Sequence, residues 1–575
     1  MLPGTMKFET TTTDPDAAIS YSNVWIAYDQ AGQPGQPMVA LTDVSFEVKK
    51  GSFTSIIGPS GCGKTSLLRL CAGFQAPSSG TVLCNGKRVD GLNHEVGYIT
   101  QQNNLYPWMT TRQNVEFALE SRGVGKAERH RRSDLYLSKM GLSDFADHYP
   151  HQLSGGMQKR ASIAQTLIYE PLIILMDEPF AGLDSQTRMA VEADLLRLWT
   201  DLRPTIVFIT HDLAEAIALS DEVVVISERP GRLKTVYDVP ITRPRDVYQV
   251  QADPAFSDAY SQLWDDFRLD IMPPVAETGD GARPEPAEPD HRPVISLPPE
   301  LTQAPDKRHV LPRRTRIRLA QLGLLVLILG LWELLSDTHV LDPLIFSHPV
   351  GVVQTLVHML SGKPVEQKDI YPQIWTTFSE LAVGFLVGSF LSIGAGIALA
   401  RNRTIGQIIE PFILAWFGIP IIAIAPIFVL LLGIGFSSKV GTAVVATFFA
   451  VFFQTFAGVS SLKEEYFLLA RLMGASRWEV IRKVLLPGSL PFIFIGLRMG
   501  IPLAMTGAVV GEFIASSQGL GAFILNASSS FDAAATFAAL LLVVAIVTIL
   551  SQAVRLAEKG VVRWNADSVV GRKQQ

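Results

Sequence analysis

From about Tyr21 to Arg268, short apolar runs of β character (SFTSII, LIILM, TIVFIT, EVVVIS) alternate with longer stretches whose apolar positions recur at helical spacing. Such runs, separated by amphipathic helices, predict a mostly parallel sheet covered by helices. Inside TVLCNGKRV, Asn85-Gly86 stands between two strand-like pieces, where a turn needing positive φ forms at little cost. A small antiparallel β subdomain is expected there. Between about Asp270 and Arg318 the chain turns to Pro, Glu, Asp and Arg (MPPVAETGDGARPEPAEPDHRPV), too polar to offset chain entropy by burial, and reads as a flexible linker. Beyond it, apolar stretches of about 20 residues, enough to cross a bilayer core, recur near 319–337, 378–400, 412–433, 440–459, 489–513 and 534–554. Six membrane spans are expected.

Basic residues orient those spans. Arg313, Arg314, Arg316 and Arg318 precede the first, Arg401 and Arg403 follow the second, and Lys463, Arg471, Arg477, Arg482 and Lys483 follow the fourth. Arg555, Lys559 and Arg563 follow the sixth, whereas Ser516 to Asp532 carries no Lys or Arg. The basic sites are expected on the cytosolic side and the 516–532 segment outside. The N-terminus (MLPGTMKFETTTTDPD) lacks the basic start and apolar run of a secretory signal, so the first domain is expected in the cytosol.

Composition changes the picture in three respects. A chain of 575 residues needs several cores. Its mean hydropathy of +0.25 is high for a soluble protein, and the apolar excess falls after residue 318. A net charge of -5 without a basic tail argues against a nucleic-acid partner. Cys62, Cys71 and Cys84 all fall in the first 90 residues in no metal-ligand spacing, which fits a reducing compartment without disulfides.

Candidate chemistry starts at Gly58-Pro-Ser-Gly-Cys-Gly-Lys64-Thr65, which follows the run SFTSII and opens a helical stretch. In that context a loop wraps phosphates with backbone N–H groups, Lys64 reaches the β and γ phosphates and the Thr65 hydroxyl faces Mg²⁺. Asp177 closes the strand LIILM and is expected to hold the same ion through water, with Glu178 placed to polarise an attacking water. By itself the loop implies only nucleotide binding. Leu153-Ser-Gly-Gly-Met-Gln-Lys-Arg160, just upstream of the Asp177 strand, narrows the reading.

Together the loop, the LSGG sequence and LIILMDEP resemble an ABC ATPase, in order and at typical spacing. The resemblance implies an ATP site built from Gly58, Pro59, Ser60, Gly61, Cys62, Gly63, Lys64, Thr65 and Ser66. It implies Gln101 in GYITQQ as the Q-loop residue near catalysis and Mg²⁺, Asp184 in the D-loop AGLD, and His211 as the switch histidine at the γ-phosphate. Tyr28 fits the aromatic that stacks on adenine; Trp25 is a nearby alternative, because the insertion AGQPGQP follows Tyr28. Ser154, Gly155 and Gly156 are implied to complete the site of a second copy, so a head-to-tail homodimer around two ATP molecules is expected.

Further on, LLARLMGASRWEVIRKVLLPGSLP, between the fourth and fifth spans, resembles the EAA loop of ABC import permeases through Ala470, Gly474 and Pro487. Small residues let a coupling helix approach the ATPase, and Pro487 is expected to end it before the next span. Leu468 stands where the family carries Glu. GLRMGIPLAMTGAVVGEFIASSQGLG and FSHPVGVVQTL are similar to permeases of nitrate, sulfonate and taurine importers, NNLYPWMT after Gln101 resembles their ATPases with Tyr106 in place of a leucine, and ITRPRD resembles their C-terminal strand. The implied architecture is an α/β P-loop ABC ATPase with antiparallel β and helical subdomains, followed by an all-α permease of six transmembrane helices of the type I importer kind. Its expected boundaries are a tail at 1–20, the ATPase at 21–269, a linker at 270–315, the permease at 316–565 with the coupling helix near 464–486, and a tail at 566–575. Implied partners are a periplasmic or lipid-anchored solute-binding protein, a small solute and membrane lipid, in a bacterial inner membrane. A half-transporter exporting a small molecule is the alternative. Ionisable groups in spans are costly. Glu333 is expected at a structural interface, while Arg498 and Glu512 are open to either a structural or a pathway role.

Overall fold

The computed structural model describes residues 15–28, 37–271 and 313–565, apart from 339, 341, 363 and 366–368. The expected linker falls almost wholly outside the described residues, as do the tail at 566–575 and residues 1–14. The described residues form two compact units. One lies within Met1–Val275, Ser461–Pro491 and Lys559–Gln575, and the other within Ala276–Ser460 and Phe492–Glu558.

The first unit contains β1 (Ala17–Tyr28), β2 (Met38–Lys49), β3 (Phe53–Ile57), α1 (Lys64–Cys71), β4 (Ser79–Cys84), β5 (Lys87–Arg88) and β6 (Val96–Ile99). It continues through α2 (Thr111–Ser121), α3 (Lys126–Lys139), α4 (Gly155–Leu167), β7 (Ile173–Asp177), α5 (Ser185–Leu202), β8 (Thr205–Ile209), α6 (Leu213–Leu219), β9 (Glu222–Ile226), β10 (Leu233–Asp238) and α7 (Pro254–Ile271). The sheet β10-β9-β3-β8-β7-β6 is parallel except for its β10 edge. Strands β3, β8 and β9 are buried at every position, which explains their largely apolar composition. A second, antiparallel sheet has the order β2-β1-β4-β5. Its β4–β5 turn is Asn85-Gly86, with φ of 49° and 75°, as the sequence predicts. The sheet begins at Ala17, inside the segment 1–20 expected as a tail, because Ala18 and Ile19 are buried in the core with Val44, Val48 and Leu67. Helices α2, α3 and α4 share a core through Val115, Leu137 and Ile163 and form the helical subdomain.

The second unit is helical. It contains α8 (Arg313–Asp337), α9 (Pro343–Phe346), α10 (Pro349–Leu360), α11 (Ile370–Arg401), α12 (Arg403–Phe417), α13 (Ile421–Leu432) and α14 (Phe436–Ser460). The chain then leaves it for α15 (Glu464–Leu472) and α16 (Arg477–Glu479), and returns through α17 (Leu486–Ala515), α18 (Leu520–Ser529) and α19 (Ala533–Val561). Helices α11 and α14 lie against one another through small residues: a Cβ on Gly384 would meet that of Ala443 at 2.4 Å.

Five described helices are long and apolar enough to cross a bilayer. The expected third span, 412–433, is not one helix: α12 and α13 meet at a bend of 94°. The break is chemical. Pro420 adopts extended backbone (φ -60°, ψ 134°) as the N-cap of α13, so the helical run is interrupted there.

Candidate functional site

The loop from Gly58 to Gly63 joins β3 to α1, and Lys64 opens the helix. Lys64 is buried, and its Nζ donates to the carbonyls of Gly58 (2.7 Å) and Pro59 (2.9 Å), so its ammonium is held inside the loop. Cys62 lies in the core with its thiol pushed up by burial, which makes it a packing residue of the loop. Ser66 is reached by Tyr28, whose hydroxyl stands 2.8 Å from Ser66 Oγ and donates to Gln75 (3.2 Å). The half-exposed Tyr28 ring, at the end of β1, therefore stands beside the phosphate loop.

Thr65 Oγ1 donates to Asp177 Oδ1 at 3.1 Å. Burial pushes the Asp177 carboxyl up, Thr65 pulls it down, and the charge of Glu178 raises it again. Glu178 has φ of 44°, a left-handed conformation uncommon for a residue with a side chain. Its N–H is tied to Ile209 O on β8 (3.0 Å). Gln101 Nε2 donates to Glu178 Oε2 at 3.0 Å, and His211 Nδ1 lies 3.6 Å from the same oxygen, beyond hydrogen-bond reach. The structure thus brings Gln101, Glu178, His211, Thr65 and Asp177 to the ends of β6, β7 and β8, where functional side chains of parallel sheets gather.

Ser154, Gly155 and Gly156 belong to a different neighbourhood. Ser154 caps α4 by accepting from Met157 N, and the neighbours of Gly155 and Gly156 are Leu183 and Thr187. Asp184 caps α5, and the Thr187 N–H holds its carboxyl below the usual range. Signature and D-loop residues therefore form one surface.

Sequence reasoning missed Lys159. Buried in α4, it donates to the carbonyls of Thr100 (3.0 Å) and Gln101 (3.1 Å), fixing the backbone beside the Gln101 side chain. Burial pushes its ammonium down to about 8, partly offset by the charge of Asp177. The available signal was a lysine on a helix otherwise rich in small and apolar residues.

The segment 461–491 folds with this unit. Tyr466, Ala470, Met473, Val480 and Val484 join the core of the helical subdomain, and Leu469 and Leu472 join the core around α1. Each larger side chain contributes about 1.5–3 kcal/mol by leaving water. Tyr106, unexpected at a leucine position, is buried and donates through its hydroxyl to Tyr466 O (3.2 Å). Lys463 Nζ donates to Gln102 Oε1 (2.6 Å), and Arg122 Nε to Met473 O (3.4 Å). Leu468 lines a cleft of about 590 Å³ with Thr65, Arg69, Gln101, Asp177 and Glu465, so the altered position faces the site.

Two expectations about this segment need correction. Gly474 is not inside a helix; with φ of 98° it follows the end of α15, where only a residue without Cβ turns freely, and Ala475 N then bonds back to Ala470 O (3.0 Å). Ala470 is fully buried, as expected for close approach. Pro487 does not end the helix, since helical backbone runs on from Arg477 to Ala515. A π-helical stretch, Val480–Leu485, precedes it. Pro487 has no N–H for the carbonyl four residues back, that of Lys483, and Trp108 Nε1 donates to that carbonyl instead, at 2.8 Å.

In the helical unit, Glu333 accepts weakly from Val350 N (3.4 Å) at the start of α10. Arg498 pairs with Glu558 of α19 at 3.5 Å. Glu512 is fully buried and takes part in a cluster with Glu380 and Lys439, two charged residues inside apolar runs that the sequence reading passed over.

Residues 41–181 match the family described as ABC transporter, and residues 388–563 match that described as binding-protein-dependent transport system inner membrane component. An uncharacterized ABC transporter ATP-binding protein of Methanocaldococcus jannaschii is 47% identical over 212 residues, which is 37% of this chain and 79% of that protein. The taurine import ATP-binding protein of Roseobacter denitrificans is 39% identical over 40% of this chain and 89% of its own length. The nitrate import ATP-binding protein of Synechocystis sp. is 40% identical over 39% of this chain and 88% of its own length.

Glu178→Gln keeps the shape and the Gln101 contact; if Glu178 is the general base, the variant should bind ATP with near wild-type affinity and hydrolyse it at least 100-fold more slowly, on the order expected for loss of such a base. Single-turnover hydrolysis in lipid measures this, and wild-type turnover would refute the role. Trp108→Phe keeps the ring but leaves the Lys483 carbonyl without its donor, a cost of about 1–3 kcal/mol. Solute moved per ATP hydrolysed should fall while ATP binding is unchanged, and an unaltered ratio would show that the indole N–H is dispensable.

Proposed function

The chain belongs to the ABC transporter family, and from that membership we propose that it is the ATP-hydrolysing subunit and the permease of a binding-protein-dependent importer for a small anion of the nitrate, sulfonate or taurine type. The observation that carries this reading is the presence, in one polypeptide, of the assembled ATPase site and a match to an importer's membrane component across α11 to α19. The anion class is supported by what the taurine and nitrate relatives are named for.

In this reading ATP lies on the Gly58–Ser66 loop, with Lys64 turned from the loop carbonyls to its β and γ phosphates and Tyr28 against adenine. Mg²⁺ fits the oxygen donors present: the Thr65 hydroxyl, the Asp177 carboxylate 3.1 Å from it, and the amide oxygen of Gln101, whose nitrogen is engaged with Glu178. When bound, the ion neutralises phosphate charge. Glu178 orients the attacking water, Gln101 holds Glu178 in place, and His211, adjacent to the same carboxylate, is positioned for the γ-phosphate. The surface of Ser154, Gly155, Gly156 and Asp184 closes over the nucleotide of a second copy, so the working unit is a homodimer.

Membrane topology follows from parity. Segment 461–491 folds with the ATPase and is cytosolic, so α14 starts outside. Arg401 and Arg403 put the end of α11 inside. The bent pair α12–α13 therefore crosses once, giving six crossings with the ATPase in the cytosol, in accord with a bacterial inner membrane.

Head-to-tail sharing predicts complementation. Mixed dimers of Lys64→Ala and Ser154→Arg retain one site with both parts intact and should trap nucleotide at that site, whereas sites formed within one chain would trap none. The importer reading is tested by ATP hydrolysis of the chain in lipid with a periplasmic binding protein and a panel of nitrate, taurine and alkanesulfonates. Stimulation only by a loaded binding protein supports import and names the solute; stimulation by solute alone indicates export.

A further inference from the structure

One side chain without a role so far spans two loops beside Glu178. Arg188 lies on α5, one turn after Asp184, and its backbone N–H bonds to Asp184 O (2.9 Å). Its Nη2 donates to Leu183 O (3.4 Å), a carbonyl of the 181–184 loop. That loop is folded back on Glu178, since Ala181 N donates to Glu178 O (3.2 Å). On its other side, Arg188 Nη1 donates to Asp212 Oδ2 (3.4 Å) and lies 3.2 Å from Glu215 Oε1. Both carboxylates belong to the start of α6, immediately after His211.

These two acids hold the residues on either side of His211. Glu215 Oε2 accepts from Thr210 Oγ1 (2.7 Å), and Thr210 Oγ1 accepts in turn from Asp212 N (3.0 Å). Asp212 Oδ1 caps α6 by accepting from Ala214 N (2.9 Å) and Glu215 N (3.4 Å). His211 is thus carried on a short closed loop while its own ring stays largely exposed. Among the described residues, Arg188 is the only Lys or Arg paired with Asp212 or Glu215. Both carboxylates converge on one of its nitrogens, so without the guanidinium two like charges stand side by side and loosen the loop they hold.

An isolated surface ion pair contributes little. Here one rigid, planar fork addresses three acceptors on two loops, which most of α5 and all of β8 separate in sequence. A displacement of Leu183 turns the fork and carries Asp212 and Glu215 with it. We propose that Arg188 is a positioning residue for hydrolysis: it locks the 181–184 loop to the 210–215 segment, so that His211 is presented to the nucleotide only when the 181–184 loop is seated. The proposal rests on the reading given above, in which His211 meets the γ-phosphate and the surface around Asp184 meets a second copy. Docking of that copy against the 181–184 loop then sets the position of His211 in this chain.

A double-mutant cycle on the full chain in lipid tests this, with single-turnover ATP hydrolysis and binding of a non-hydrolysable ATP analogue measured in parallel. Arg188→Ala should bind the analogue with wild-type affinity and hydrolyse ATP about 100-fold more slowly, the size expected when a reacting group is misplaced by about 1 Å. In a His211→Ala chain, already slow, the same substitution should change the rate by less than about twofold, because the group it positions is gone. A residue that only stabilises the fold would slow both backgrounds alike. Arg188→Lys keeps the charge on a flexible stem without the fork, so it should bind the analogue normally and turn over as slowly as Arg188→Ala. Should Arg188→Ala fail to fold, Arg188→Lys in the two backgrounds decides alone. The proposal is overturned by wild-type turnover in either Arg188 variant, by equal slowing in both backgrounds, or by loss of analogue binding in step with the rate. Wild-type turnover by His211→Ala would overturn the reading of His211 and the proposal with it, whereas a slow His211→Ala beside an unaffected Arg188→Ala overturns the proposal alone.

Discussion

A helix entering a membrane must satisfy every backbone group, and Pro487 leaves one of them, the Lys483 carbonyl, without its usual donor. The vacancy is filled by the Trp108 indole from the stretch that follows Gln101. That bond, with Tyr106 on the Tyr466 carbonyl and Gln102 on Lys463, makes residues 101–108 a single ribbon that touches the Glu178 carboxylate at one end and the Lys483 carbonyl before α17 at the other. Lys159 clamps the near end of the ribbon. Glu178 is thus connected to the Lys483 carbonyl through Gln101, the 101–108 stretch and the Trp108 indole.

The two units use charge in opposite ways. In the ATPase, Lys64, Thr65 and Asp177 are gathered beside open loops, where a highly charged substrate completes them. In the helical unit, Lys439 and Glu380 pair away from solvent, and the buried Glu512 is held by the Thr377 hydroxyl and the Gly521 N–H. Arg498 and Glu558, partly buried and 3.5 Å apart, stand between these extremes.

Much of the ATPase was legible because its chemistry is local. A phosphate loop needs its glycines and lysine in sequence, a fully buried strand reads as an apolar run, and Asn85-Gly86 announces its own turn. What sequence could not give was chemistry assembled across distance. Lys159 looks like a surface lysine until the carbonyls of Thr100 and Gln101 are placed against it, and Glu380 and Lys439 lie 59 residues apart with nothing local to join them. The third span was legible as apolar content but not as shape: mean hydropathy over 412–433 is blind to the break at Pro420, where α12 and α13 meet at 94°. Gly474 and Pro487 were placed in the right segment for partly wrong reasons, since one turns the chain and the other redirects a carbonyl.

The ATPase core is closed by side chains that come late in the chain. Tyr466, Leu469, Ala470, Leu472, Met473, Val480 and Val484 fill it, and Trp564 packs against it after α19. A ribosome working at about 5–20 residues per second needs roughly ten to forty seconds to travel from the end of the α/β sequence to that segment. For that interval the nascent ATPase has a nearly complete sheet and an unfilled apolar groove, and the plug is synthesised only after several helices have entered the bilayer. Maturation of the energy-converting half thus waits on successful insertion of the half it drives, so a chain stalled at the membrane is left with an unfinished core, exposed to chaperones and proteases.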